Sequence, residues 1–299
     1  CTVSLDDALP SLGLRMFGLF LILPVFVLYA PGLEGATPLT VGIALGAYGL
    51  TQAVLQVPFG MLSDRYGRKR MLSIGLLLFV FGSVVAALSS SIESIILGRA
   101  IQGTGAISAV VLATLSDLTR EQTRTKARAV VGVSIGFSFL LALMLGSSLV
   151  QWHGLSGLFW ITACLAAAAV LVVWLTVPTA TRVSASVEIQ PVRSQISAVL
   201  FNRQLQGLNL GIFVLHMTLM ALFIAVPVGL RDILDLVSAS HWQFYVPVLV
   251  CSVFGMVPLL IYGMRRHRTF AVFRLAIALL LAAQLILIIG TDQIGRAHV

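Results

Sequence analysis

Long apolar runs and short polar breaks alternate along the whole chain. Nine runs reach about 20 mostly apolar residues, the length an α-helix needs to cross the hydrocarbon core of a bilayer. They lie at 11–30, 39–62, 71–90, 93–115, 127–150, 156–177, 205–230, 242–263 and 270–290. Pro24, Pro58, Pro227, Pro247 and Pro258 fall inside these runs. They do not veto helices, because bundle neighbours re-satisfy the freed backbone groups. The expected fold class is an all-α polytopic membrane protein. The longest break opens at Pro178 and separates six runs from three. Within it Val192, Ile196 and Val199 recur at helical spacing beside Arg193, Gln195 and Arg203, a pattern consistent with a helix lying on the membrane surface.

Composition agrees with the pattern. The 299 residues are 59% hydrophobic and 10% charged, with a mean hydropathy of +1.02. Soluble domains are about 45–50% apolar and about 25% charged. A net charge of +8 would suit a nucleic-acid partner, but the placement of the cations excludes that reading. Fifteen of the 19 Lys and Arg fall in the breaks after the second, fourth, sixth and eighth runs: Arg65, Arg68, Lys69 and Arg70; Arg120, Arg124, Lys126 and Arg128; Arg182, Arg193 and Arg203; Arg265, Arg266, Arg268 and Arg274. The opposite breaks hold Arg231 beside Glu34, Glu93, Asp232, Asp235 and Asp292. Short Lys/Arg-rich loops stay inside, which puts the N-terminus in the cytoplasm. Cys1, Cys164 and Cys251 make neither a paired framework nor a metal spacing. No metal cluster, nucleophile–base set or phosphate loop points to an enzyme, and no cofactor is expected.

The densest polar feature is the turn Gly60-Met61-Leu62-Ser63-Asp64-Arg65-Tyr66-Gly67-Arg68-Lys69-Arg70 between the second and third runs. Four cations and one acid within residues 64–70 cannot sit in hydrocarbon. Gly60 allows close backbone approach, and Gly67 permits a turn conformation costly to other residues. Asp64 can accept hydrogen bonds at a neighbouring helix N-terminus, with Arg68 as counter-charge. Solvated topogenic charge is the simpler reading of the same residues. In its wording the turn resembles the signature loop of the major facilitator superfamily. The segment Gly46 to Gly60 leads directly into it, and Arg99-Ala100-Ile101-Gln102-Gly103-Thr104-Gly105 is similar to that superfamily's fourth-helix motif. With Leu115 to Gln122, the resemblance is closest to the YajR-type inner-membrane transporters of the drug:proton antiporter branch. It covers residues from about 12 to 290.

The resemblance implies a major facilitator fold: an N-terminal six-helix bundle over 11–178, a cytoplasmic linker over 179–204 and about three helices of the C-terminal bundle over 205–290. It implies that Gly60, Asp64, Arg65, Gly67, Arg68 and Asp117 form a latch between the two halves. One departure is local. Where that branch carries a Gly-Pro pair late in the fifth helix, this chain reads Leu145-Gly146-Ser147-Ser148, while Gly132 and Gly136 keep a small face for close helix approach.

Other polar residues lie within the apolar runs. Arg99, with Gln102 and Gly103 one turn on, needs the bundle interior or water around it. By resemblance it tunes a proton site or binds substrate; the structural alternative is helix packing through carbonyl contacts. Arg15 sits near the start of the first run, where snorkelling to the interface competes with a transport role. His216, central in the seventh run, bears an imidazole, the side-chain type suited to carrying protons, and a hydrogen-bonded structural role is equally open. Asn209 flanks it. Tyr48, Gln52 and Gln56 form an i, i+4, i+8 stripe that suits either a cavity lining or helix packing. No run carries an Asp or Glu in its centre.

The function expected is secondary active transport, with proton-coupled efflux of amphipathic organic compounds by alternating access. Its partners are then a small-molecule substrate, protons and the lipid bilayer, without nucleic acid. The full-length protein is expected to be a monomer in the bacterial inner membrane, with a proton gradient as energy source. A facilitator or importer of small polar solutes is the alternative on the same fold, and a non-transporting scaffold or receptor is a third. The chain opens at Cys1 in a short segment, 1–10, with no start Met, and residues 294–299 read as a translated sequencing adapter. A chain ending after about nine of twelve helices is expected not to transport by itself.

Overall fold

The computed structural model describes residues 9–119, 124–177, 201–232, 240–266 and 268–297. The linker expected at 179–204, with its surface helix, lies mostly outside them, as do residues 1–8 and 298–299. The described helices are α1 (Leu9–Tyr29), α2 (Pro38–Tyr66), α3 (Arg68–Ala87), α4 (Ile92–Thr104), α5 (Ser108–Leu118), α6 (Arg124–Thr176), α7 (Arg203–Asp232), α8 (Trp242–Arg265) and α9 (Thr269–Ala297). Eight helical stretches are long and apolar enough to cross a membrane. One of them, Ala129–Thr176, is 48 residues long and takes in two of the nine runs. A straight helix of that length would run about 70 Å, far beyond a hydrocarbon core of about 30 Å.

The chain therefore turns back within α6, at Gly154, whose φ of 68° is open to glycine at little cost. Contacts on each side of it establish a hairpin. Ser138 donates to the Gly13 carbonyl before the turn, and Thr162 donates to that of Gly18 after it. Lys69, at the start of α3, reaches the Trp174 carbonyl, while Ser156 reaches that of Ala87 at its end. The second limb thus runs antiparallel to α3. The fourth run is likewise two pieces, α4 and α5, broken at residues 105–107.

Local signals set the helix starts. Thr37 and Thr40 form a reciprocal capping box ahead of α2, with Pro38 in the first turn. Ser91 caps α4 by accepting from the Ser94 amide. The loops before these two helices are tied together, since the Ile92 amide donates to the Glu34 carbonyl.

The molecule divides into two compact units, 1–229 and 230–299. In the first, most of the interior is apolar, with Leu21, Ile22, Phe26, Leu76, Phe79, Leu158 and Phe159 fully enclosed. Late α7 joins it through Phe223, which stands edge-on to Phe139, and through Val228. The earlier part of α7 presents Leu208, Leu210, Ile212, Phe213 and Leu215 outward, as a helix facing hydrocarbon does. In the second unit α8 and α9 are joined by a tight connection, in which the Arg268 amide donates to the Gly263 carbonyl. Gly132 and Gly136 face open space. The close approach expected of them is made by Gly146, where an added Cβ would stand 2.9 Å from the Leu21 carbonyl oxygen.

Candidate functional site

The charged turn is built from sequence-local geometry. Gly67 has φ 97° and both ends α2 and starts α3, so that two helices meet with one residue between them. That puts Arg68 four residues from Asp64 and folded back over it, with Nη2 at 2.5 Å from the Asp64 carboxylate. Its Nε donates to Asp117 at the end of α5, at 2.8 Å. Its Nη1 donates to the Ser63 hydroxyl, which in turn donates to the Gly60 carbonyl. One guanidinium thus grips two carboxylates from two spans. The Arg68 side chain is 19% exposed, whereas Asp64 and Asp117 stay 65% and 48% exposed. Asp64 meets Arg68 here. Arg65 lies over the Tyr66 ring, and Lys69 packs over Trp174 as well as bonding its carbonyl.

A second polar cluster lies in the interior of the first unit. Arg15 does not snorkel. Its side chain is fully buried, and Nη2 donates to the Tyr48 hydroxyl at 2.9 Å and to the Gly105 carbonyl at 3.2 Å. The break between α4 and α5 is what turns that carbonyl free of the helical ladder. Arg99 is equally enclosed. It donates from Nη1 to Gln102 Oε1 at 2.8 Å, and Gln102 Nε2 donates to Ser83, whose hydroxyl bonds the Phe79 carbonyl. The Arg99 guanidinium stacks over Tyr48 at 4.8 Å from the ring centroid, and that of Arg15 lies over Phe79 at 5.3 Å. Tyr48 and Phe79 meet edge-on. Neither guanidinium has a carboxylate partner among the described residues.

Sequence reasoning nominated Arg15, Tyr48 and the Arg99–Gln102 pair separately, and the fold brings them together. It missed Phe79, Ser83 and Thr51. Thr51, the residue before Gln52 of the stripe, donates to the Ala100 carbonyl of α4 at 2.9 Å. Gln52 and Gln56 are half-buried, and Gln52 Oε1 is enclosed without a partner among the described residues. Asn209 and His216 are exposed on α7. The Nδ1 of His216 lies 2.9 Å from the Ile212 carbonyl, so it donates and leaves Nε2 as the basic nitrogen.

Gly103 sets the spacing between α2 and α4. A Cβ there would run into the Tyr48 carbonyl and the Thr51 hydroxyl. Gly103→Ala is expected to push the helices apart and destabilise the protein by about 1–3 kcal/mol. Thermal unfolding in detergent checks this, and an unchanged midpoint would contradict the packing described.

The helical hairpins, the charged turn with its paired acids and the arginine-bearing fourth span agree with a comparison across the whole chain. Residues 8–297 match the family model of the Major Facilitator Superfamily. The chain belongs to the major facilitator superfamily. It is 46% identical over 276 residues to the inner membrane transport protein YajR of Escherichia coli K12, covering 92% of this chain and 60% of that protein. An uncharacterized transporter of Buchnera aphidicola from Acyrthosiphon pisum is 34% identical, over 91% of this chain and 70% of its own length. Among solved structures, a bacterial homolog of the human lysosomal transporter Spinster, inward-facing and unoccupied, superposes with a TM-score of 0.67 at 16% identity, over 87% of this chain and 62% of that one. That likeness concerns the fold. The two relatives are described as transport proteins, and this superfamily member spans 60% of the length of the one from E. coli.

Proposed function

We propose that the protein is a proton-coupled secondary transporter of the bacterial inner membrane, which exports amphipathic organic compounds by alternating access. The observation that supports this most is the grip of Arg68 on Asp64 and Asp117. An ion-pair set that is half open to solvent and spans two elements suits a contact made in one state and released in another. Exposed pairs of this kind are worth at most about 1 kcal/mol, so they shift a balance between states without locking it. The cation-rich turn then faces the cytoplasm with the N-terminus, and the protein works as a monomer of two helical halves around a midplane site. His216 carries the proton on Nε2.

Everted vesicles holding the protein as its complete gene encodes it test this reading. With a cationic, a neutral and an anionic aromatic dye in turn, at least one is expected to accumulate only while a pH gradient is imposed, and nigericin abolishes it. His216→Gln is expected to leave flux running without gradient dependence. Flux of every dye that ignores the gradient in the unmodified protein would overturn the coupling and favour a facilitator.

A further inference from the structure

We propose that Arg15 and Arg99 form a binding subsite for the anionic head of the substrate, a carboxylate or similarly charged acid group on an aromatic or otherwise apolar body. This rests on the transporter reading above and names its substrate class. Guanidinium groups stay ionised in proteins, so the cluster puts two positive charges into an interior from which water is excluded. Among the described residues their partners are neutral: the Tyr48 hydroxyl, the Gly105 carbonyl and Gln102 Oε1, with the faces of Phe79 and Tyr48 alongside. From α3 the neighbours are Phe79 and Ser83, again uncharged.

These contacts leave donors over. Arg15 Nε, Arg15 Nη1 and Arg99 Nε are buried with no acceptor among the described residues. Arginines that serve only to fix helix packing use up their N–H groups on carbonyls, because an unmet buried donor is costly. Tyr48 touches both cations, through its hydroxyl on one side and its ring on the other. The two charges therefore flank a single side chain, and one small acid group can answer both. The aromatic surfaces of Tyr48 and Phe79 offer the apolar part of the ligand a place beside its head.

Equilibrium binding of radiolabelled 1-naphthoate to the purified full-length protein in non-ionic detergent tests the proposal. Saturable binding is expected, with 1-naphthamide and 1-naphthylmethylamine competing at least about tenfold less well. Arg15→Gln and Arg99→Gln are each expected to weaken naphthoate binding by about tenfold or more, while Arg15→Lys and Arg99→Lys keep the preference for acid over amide. No saturable binding, an amide as good as the acid, or folded Gln variants that bind like the unmodified protein would overturn it. If the Gln variants do not fold, Tyr48→Phe decides. It removes only the hydroxyl that occupies Arg15 and is expected to tighten naphthoate binding about threefold, and unchanged or weaker binding would overturn the subsite. Because no gradient is present, failure here leaves the proton-coupling result standing. Naphthoate binding without flux of any dye, with or without a gradient, would instead remove the transport reading.

Discussion

Replacing Arg99 by Met together with Gln102 by Leu is expected to leave the protein as stable as before or more stable, by up to about 4 kcal/mol, while cutting transport by more than about tenfold. The unmodified pair holds a buried cation whose neighbours are neutral. Well-packed apolar side chains of similar size remove that desolvation cost. Taking both residues matters, since Arg99→Met alone strands Gln102 Oε1, now bonded at 2.8 Å, without its donor. Ser83 keeps its bond to the Phe79 carbonyl in the double variant. Thermal unfolding and vesicle flux on the same preparation check both halves. A large loss of stability with flux retained would make Arg99 a packing residue.

Arg68→Ala is expected to have the opposite profile: stability changed by less than about 1 kcal/mol, transport cut by about tenfold or more. The side chain joins Asp64, Asp117 and Ser63 at a half-open site, so little folding energy depends on it. What its loss changes is the relation between the two acids, which then face each other's field without a cation between them. Arg68→Lys keeps the charge without the guanidinium fork that reaches three partners at once, and intermediate flux is expected. Flux equal to the unmodified protein in Arg68→Ala would reduce the turn to a topogenic signal.

The spans were legible because apolar length alone defines them, and the charged turn because its parts are neighbours in sequence. Asp64 and Arg68 are one helical turn apart, and Gly67 announces the change of direction between them. Asp117 needed the wording of a family motif, since 49 residues separate it from Arg68. The interior cluster was harder. Position near a helix start suggests an interfacial Arg15, and only the packing of α1 against α2 and the break after α4 supplies Tyr48 and the Gly105 carbonyl. Ser83 and Phe79 carry no local mark, being a small and an apolar residue in an apolar run. Helix rotation decided the small-residue faces: Gly132, Gly136 and Gly146 look alike in sequence, and only Gly146 meets another backbone.

The central claim is that Arg68 and Asp117 act as one unit in the transport cycle. A double-mutant cycle on gradient-driven flux tests it most directly, with Arg68→Ala, Asp117→Ala and both together in the full-length protein. The double variant is expected to be no slower than Arg68→Ala alone, because either change breaks the same contact. Losses that multiply, as if the two residues acted apart, would contradict it.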